Sequence, residues 1–111
     1  MGETRCIKIK LKSGSAARAR AWGAEIMGRR DEALATLRDE GVVAESVFLD
    51  STDEGDFLIY YMKAESFERA GAALRASPHA IDAYHKEFMD DTWEAKTRLE
   101  LLVDLDCITE P

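Results

Sequence analysis

Few side chains in this 111-residue chain could do chemistry, and the best placed of them lie after residue 44. His79 and His85 are the only histidines. Histidine changes charge near neutral pH, which suits it to general acid or base work. Asp82 stands three residues before His85, so on a helix its carboxylate and the imidazole occupy neighbouring turns. Asp82 could then orient His85 toward a substrate, although such a spacing is more often a solvated surface pair. The two histidines are six residues apart, roughly 240° around a helix, so one straight helix cannot offer both to one metal. Asp82-x-x-His85 is also half of a di-iron motif, but that site needs a second copy and two further glutamates. Glu45 sits in an apolar run, where a carboxylate must find a partner or take up a proton. Lys8, Lys10 or Tyr61 could supply the partner across a sheet. Tyr60 and Tyr61 are adjacent, so a strand sends their hydroxyls to opposite faces. The candidate catalytic residues are therefore His85, Glu45 and Asp82, and the candidate substrate contacts are Tyr61, His79 and Lys8. Each has a plainer use, as a surface ion pair, an exposed strand glutamate or an interface tyrosine.

Other chemistry finds little support. Cys6 and Cys107 lie near opposite ends and belong to no CxxC or Cys/His cluster, so free thiols and no zinc are expected. No GxGxxG, Walker loop, GxSxG or HExxH occurs, and no cofactor is expected. Trp22 and Trp93 read as packing residues.

A net charge of −7 argues against nucleic acid, because phosphate binding needs a basic surface. Arg18, Arg20, Arg29 and Arg30 form a local basic cluster, best read as a solvated helix face. The longest apolar runs fall well short of the ~20 residues that span a membrane. No charged-then-apolar leader opens the chain, which gives the expectation of a cytoplasmic protein. With 46% hydrophobic and 33% charged residues, the whole chain, 1–111, suits one globular domain, ordered over about residues 4–105.

The elements that must position these side chains follow from periodicity. Thr4–Lys12 alternates, with Ile7, Ile9 and Leu11 on one side, and reads as a half-buried strand. Ala16–Glu40 is rich in helix formers, with Trp22, Ile26, Ala33 and Leu37 as the inward stripe. As one helix it would run roughly 37 Å, against about 30 Å for a nine-residue strand. It must overhang or bend, and Gly23 and Gly28 are the expected bending points, with Gly41 as the C-terminal cap. Val43–Asp50 and Phe57–Ala64 flank Asp53-Glu54-Gly55 and form an antiparallel hairpin. Glu65–Ala76 reads as a second helix. A third is expected to begin at Ser77-Pro78 and end near Glu94, with Ile81, Tyr84, Phe88 and Met89 inward. Thr97–Leu105 alternates again and reads as a fourth strand, while Asp106–Pro111 is expected to be loose.

The resulting order, β-α-β-β-α-β, predicts an α+β, ferredoxin-like fold: a four-stranded antiparallel sheet in the order 4-1-3-2, with helices on one face. On the second strand, Ala44, Ser46 and Phe48 are expected under the helices, which turns Glu45, Val47 and Leu49 to the open face. On the third, the pattern does not choose between Phe57, Ile59, Tyr61 and Leu58, Tyr60, Met62. An open face mixing lysine and glutamate with large apolar groups suits coverage by a second copy of the chain.

The hairpin AESVFLDSTDEGDFLIYYMKAES and the later SPHAIDAYHKEFM carry a resemblance. They resemble an uncharacterised family of small bacterial proteins within the dimeric α+β barrel superfamily, which includes the antibiotic-biosynthesis-monooxygenase-like domains. The resemblance spans roughly residues 4–105 and implies a homodimer whose two sheets close into a barrel. It implies a pocket between the open face and the helix edges, and it carries over no catalytic constellation. The reading that results is a small-molecule-binding or cofactor-independent enzyme domain. The alternative is a non-catalytic dimeric regulatory or structural protein.

Overall fold

The computed structural model describes residues 2–108. In the first strand, β1 (Glu3–Leu11), alternation becomes burial: Ile9 and Leu11 are enclosed while Lys10 is exposed. Two helices, α1 (Ala16–Gly28) and α2 (Arg30–Glu40), replace the single long one, with the joint at Arg29. Gly28 lies at that bend, whereas Gly23 sits inside α1 without breaking it. The Arg29 guanidinium holds the elbow, 3.6 Å from Glu25 on one helix and 2.7 Å from Glu32 on the other. Gly41 caps α2 at φ 71°, a left-handed conformation that costs glycine least.

The hairpin strands are β2 (Val42–Thr52) and β3 (Gly55–Ala64), which reverse through Asp53-Glu54. Thr52 Oγ1 fastens the turn, accepting from the Glu54 N–H at 3.2 Å and donating to the Gly55 carbonyl at 2.8 Å. Near the other end of the hairpin the ladder slips. Val42 pairs with Ala64 and Ala44 with Lys63, so Val43 is an extra residue with no partner. Such a bulge reverses which face every following side chain meets. Val42 is buried, and beyond the bulge Glu45, Val47 and Leu49 share a face with Met62, Tyr60 and Leu58.

This corrects the expected register of the second strand. Ala44, Ser46 and Phe48 lie on the open face, and Glu45, Val47 and Leu49 face the helices. On β3 the inward set is Leu58, Tyr60 and Met62, so Tyr61 points away from them. A sequence pattern read without the bulge gives the opposite parity, because alternation has no memory of an inserted residue.

Helix α3 (Phe67–Arg75) starts on two acceptors: Ser66 Oγ takes the Arg69 N–H at 3.3 Å, and Glu3 Oε1 takes the Phe67 N–H at 2.7 Å. Helix α4 (Ala80–Thr92) begins two residues after Pro78, with His79 extended at its N-cap. It passes without a loop into β4 (Trp93–Arg98). The sheet is antiparallel throughout and runs β2-β3-β1-β4; the order 4-1-3-2 counts it from the β4 edge. Trp22 and Ala19 of α1 and Phe88 of α4 pack on Ile9, Leu11, Leu58 and Tyr60. Ala70 of α3 packs with Val42 and Ala64, and Leu37 of α2 adds to that second cluster.

The fourth strand differs most from its sequence signal. It lies four residues earlier than expected and ends at Arg98, opposite Ile7, with one further bond from the Leu99 N–H to the Cys6 carbonyl. Residues 99–105 then leave the ladder and run beside Thr4, Cys6 and Tyr61 on the open face. Their alternation is that of a strand, but no strand among the described residues pairs with them, and Leu105 is 87% exposed. Asp106 forms an ion pair with Lys63, so the expected looseness does not extend to that residue, and residues 109–111 lie outside the described part.

Phe88 is fully buried and stacks on Trp22 at 4.7 Å, their planes 8° apart. Replacing it with alanine should cost about 3–5 kcal/mol in urea unfolding. A loss below about 1 kcal/mol would show that this ring pair does not hold α1 and α4 to the sheet.

Candidate functional site

Between the helices and the covered face of the sheet lies a cavity of about 330 Å³. Four rings wall it: Trp22 from α1, Tyr60 from β3, His85 from α4 and Trp93 from β4. His85 lies 5.2 Å from Trp22, 6.2 Å from Tyr60 and 6.5 Å from Trp93, measured between ring centres. The planes of these four rings are tilted or edge-on to one another, while Trp22 and His85 each stack on Phe88.

The polar atoms are more informative than the rings. Trp22 Nε1, Trp93 Nε1, Arg5 Nε, Tyr60 Oη and His85 Nδ1 are all buried without a hydrogen-bond partner, and all five residues line this cavity. Trp22 is 6% exposed and Tyr60 5%. Buried polar groups are nearly always paired, with protein or with ordered water, so five such atoms around one space mark it as a polar hollow able to hold a hydrogen-bonding guest. The Trp93 indole comes near enough to the Tyr60 oxygen to favour its ionised form slightly, without completing a hydrogen bond.

Carboxyl groups occupy the more exposed side: Glu40 at the end of α2, Glu45 on β2 and Asp82 on α4. Loss of water pushes the Glu40 carboxyl up to about 7, and the charges of Asp82, Glu45 and Asp39 add to the rise, with His79 opposing it. Glu45 keeps exposed surface on the outermost strand, yet the protein around its carboxyl raises its pKa, and Asp82 raises it further. Burial moves His85 the other way, down to about 4, against the pull of Asp82. Tyr60 is held firmly un-ionised, first by burial and then by Glu45. At neutral pH the site therefore combines a neutral imidazole with carboxyls that retain protons more readily than usual.

Of the candidates named from sequence, His85, Glu45 and Asp82 come together on this cavity. Asp82 does not reach His85 by a hydrogen bond; its Oδ2 accepts instead from Ser77 Oγ at 2.5 Å. His79 lies apart at the helix start, its Nε2 2.7 Å from Asp39, and that carboxylate raises its pKa. Lys8 and Tyr61 are on the opposite face, where Lys8 sits 4.4 Å over the Phe57 ring. This cavity lies beneath the helices, and a second hollow of about 530 Å³, lined by Thr4, Cys6, Tyr61 and residues 99–105, lies on the open face. Sequence reasoning passed over Trp22, Trp93, Glu40 and Arg5. The two indoles read as packing groups, and only the imidazole spaced three residues after a carboxylate marked this part of the chain. Among the described residues no group of three or more His, Cys, Asp or Glu is placed to hold a metal ion, and both cysteines are free.

The two histidines should separate in a proton NMR titration. His79 should titrate above its free value of 6.5 and His85 near 4. A folded pKa below the unfolded one means that stability is lost as pH falls from 6.5 toward 4. The His85→Gln variant should therefore lose less stability than the parent over that interval. Glu40 has the opposite sign: stability present below pH 4.5 is lost as pH rises through 7, and Glu40→Gln should remove that decline. Two histidines titrating together near 6.5 would contradict the burial described.

Comparison with known proteins agrees with this architecture. An L-rhamnose mutarotase from Formosa agariphila superposes with a TM-score of 0.64 at 20% identity, covering 94% of this chain and 99% of that one. A candidate antibiotic biosynthesis monooxygenase from Nitrosomonas europaea gives 0.56 at 13%, covering 88% and 86%. A dimeric protein of unknown function and ferredoxin-like fold from Bacteroides fragilis gives 0.54 at 10%, covering 88% and 92%. At these identities the likeness is one of fold. No curated protein matches the sequence. A family model does match, from residue 2 to residue 110, and the chain belongs to that family of unknown function, DUF6176.

Proposed function

We propose that the cavity beneath the helices binds a small molecule and that the chain acts on it, without a cofactor, by moving a proton. The observation that carries this is the set of five unpartnered buried polar atoms around one space. A neutral His85 can accept a proton at Nδ1, and Glu45 or Glu40, whose carboxyls hold theirs more tightly than usual, can return one. Asp82 acts on His85 through its charge. Interconversion of sugar anomers, the activity in the name of the Formosa neighbour, is a reaction of this type: a base takes a hydroxyl proton while an acid protonates the ring oxygen.

The same reading includes a homodimer. Phe48 is 60% exposed on the open face, and the apolar side chains of residues 99–105 lie on the same face beside Thr4, Cys6 and Tyr61. Single chains seldom leave so much apolar surface to water, and a second copy is the simplest cover. The Bacteroides neighbour is described as dimeric, which supports this. Tyr61 and Lys8 would then meet the partner rather than the ligand. The acidic balance of the chain supports a reading without nucleic acid, and no helix among the described residues is long and apolar enough to cross a membrane.

A thermal-shift screen of small neutral metabolites tests the binding claim. A ligand at ten times its Kd adds about 1.4 kcal/mol, or roughly 6 °C for a domain of this size. The rise should shrink in Glu45→Ala and vanish in His85→Gln if both touch the ligand. Size-exclusion chromatography with light scattering should find a dimer at micromolar concentration, and Leu105→Asp should weaken it. A dimer with no ligand from a broad screen would favour the non-catalytic alternative.

A further inference from the structure

The pattern of unpartnered atoms says what kind of molecule fits the cavity, an inference that rests on the binding reading above and deepens it. Indole N–H and guanidinium Nε–H groups can only donate. Trp22 and Arg5 therefore call for acceptors from the ligand, while the Trp93 N–H has the Tyr60 oxygen close by. Carboxyl oxygens accept and, where protonated, also donate, so Glu40 and Glu45 suit partners that can do either, while Asp82 already accepts from Ser77 Oγ. A ligand that meets both must carry acceptors and donors together.

Charge narrows the choice. A carboxylate or phosphate could pair with Arg5 or with Lys96, which also lines the cavity, but three acidic groups stand beside those two cations. An ammonium would suit those acids and leave the indole donors unanswered. Arg5 already has contacts of its own, with its guanidinium 4.2 Å above the Phe67 ring and Nη2 3.9 Å from the Met62 sulfur. Hydroxyl groups satisfy both sides, because each accepts and donates. The walls add a shape requirement: indole, phenol and imidazole faces favour a ligand with an apolar C–H surface laid against them. A volume of about 330 Å³ is at the low end of ligand pockets, about 300–1,000 Å³, and suits one ring.

We propose that the ligand is a neutral, single-ring polyhydroxylated molecule of the monosaccharide class. Its hydroxyls lie between the Trp22 and Trp93 indole donors and the Glu40, Glu45 and Asp82 carboxyls, with its C–H surface against the rings.

The chain has two tryptophans, and both line the cavity, so the two indole N–H signals in a nitrogen-15 spectrum report on it directly. The probes are D-glucose and L-rhamnose as neutral rings, tetramethylammonium chloride as a cation and sodium benzoate as an anion. A neutral sugar should move both signals saturably, with a Kd of roughly millimolar order. Trp22→Phe keeps a ring but removes a donor, and should weaken that binding about two- to tenfold, the worth of one hydrogen bond. Unchanged affinity in a folded Trp22→Phe would overturn the donor assignment. Saturable shifts with tetramethylammonium or benzoate and none with sugars would overturn the ligand class while leaving the cavity as a binding site. If no probe moves the indoles, the ligand class is overturned; if the thermal-shift screen is also empty, the binding reading falls with it.

Discussion

Side chains on a strand alternate with a period of two, so the unpartnered Val43 decides what the rest of β2 faces. Before it, Val42 is buried among Ala64 and Ala70. After it, Val47 and Leu49 join the main core and Glu45 comes to the cavity with them. Remove the extra residue from the ladder and Phe48 would face the helices while Glu45 faced water. The site depends on this irregularity for Glu45, whose strand in regular pairing would send it away. A second register shift, between Lys10 and Leu11 where β1 pairs with β4, sets the facing of Trp93.

The cavity follows from how the helices are mounted. The elbow at Arg29 lets α1 lay Trp22 on the centre of the sheet and lets α2 carry Glu40 to its edge. Helix α4 runs directly into β4, so His85 and Trp93 are brought to one space from two consecutive elements. Rings at mixed angles do not fill that space as a stack of aliphatic side chains would, and the polar edges they leave inside are unsatisfied. Burial then does the electrochemical work: it keeps His85 neutral and makes Glu40 and Glu45 reluctant to ionise.

Much of the fold was legible because periodicity is strong where one face is buried. The alternation of Ile7, Ile9 and Leu11, the helical stripe through Trp22, and the turn at Asp53-Glu54 each led to the element found. Length showed that a straight helix would outrun the sheet and so must overhang or bend; of the two glycines named for a bend, Gly28 lies at it and Gly23 does not. Two features were not legible. The bulge at Val43 leaves no mark in composition, since Val42, Val43 and Ala44 are all acceptable on either face. The run from Leu99 to Leu105 has the pattern of a strand, but no strand among the described residues pairs with it, and alternation alone does not say whether a ladder partner exists. For the site, His85 and Asp82 were legible from spacing and Glu45 from its apolar setting. Trp22 and Trp93 were not, because an indole that packs and an indole that also offers its N–H look alike in sequence.

The facing of β2 is the claim on which the rest stands, and a carbon-edited NOE spectrum tests it most directly. The Val47 methyl groups should show cross-peaks to the rings of Tyr60 and the core around Trp22, while the Phe48 ring should show them to Ile59 and to no helix. Cross-peaks from Phe48 to the rings of Trp22 or Phe88, with Val47 silent toward them, would mean that Val43 is paired in the ladder and that Glu45 has no part in the cavity.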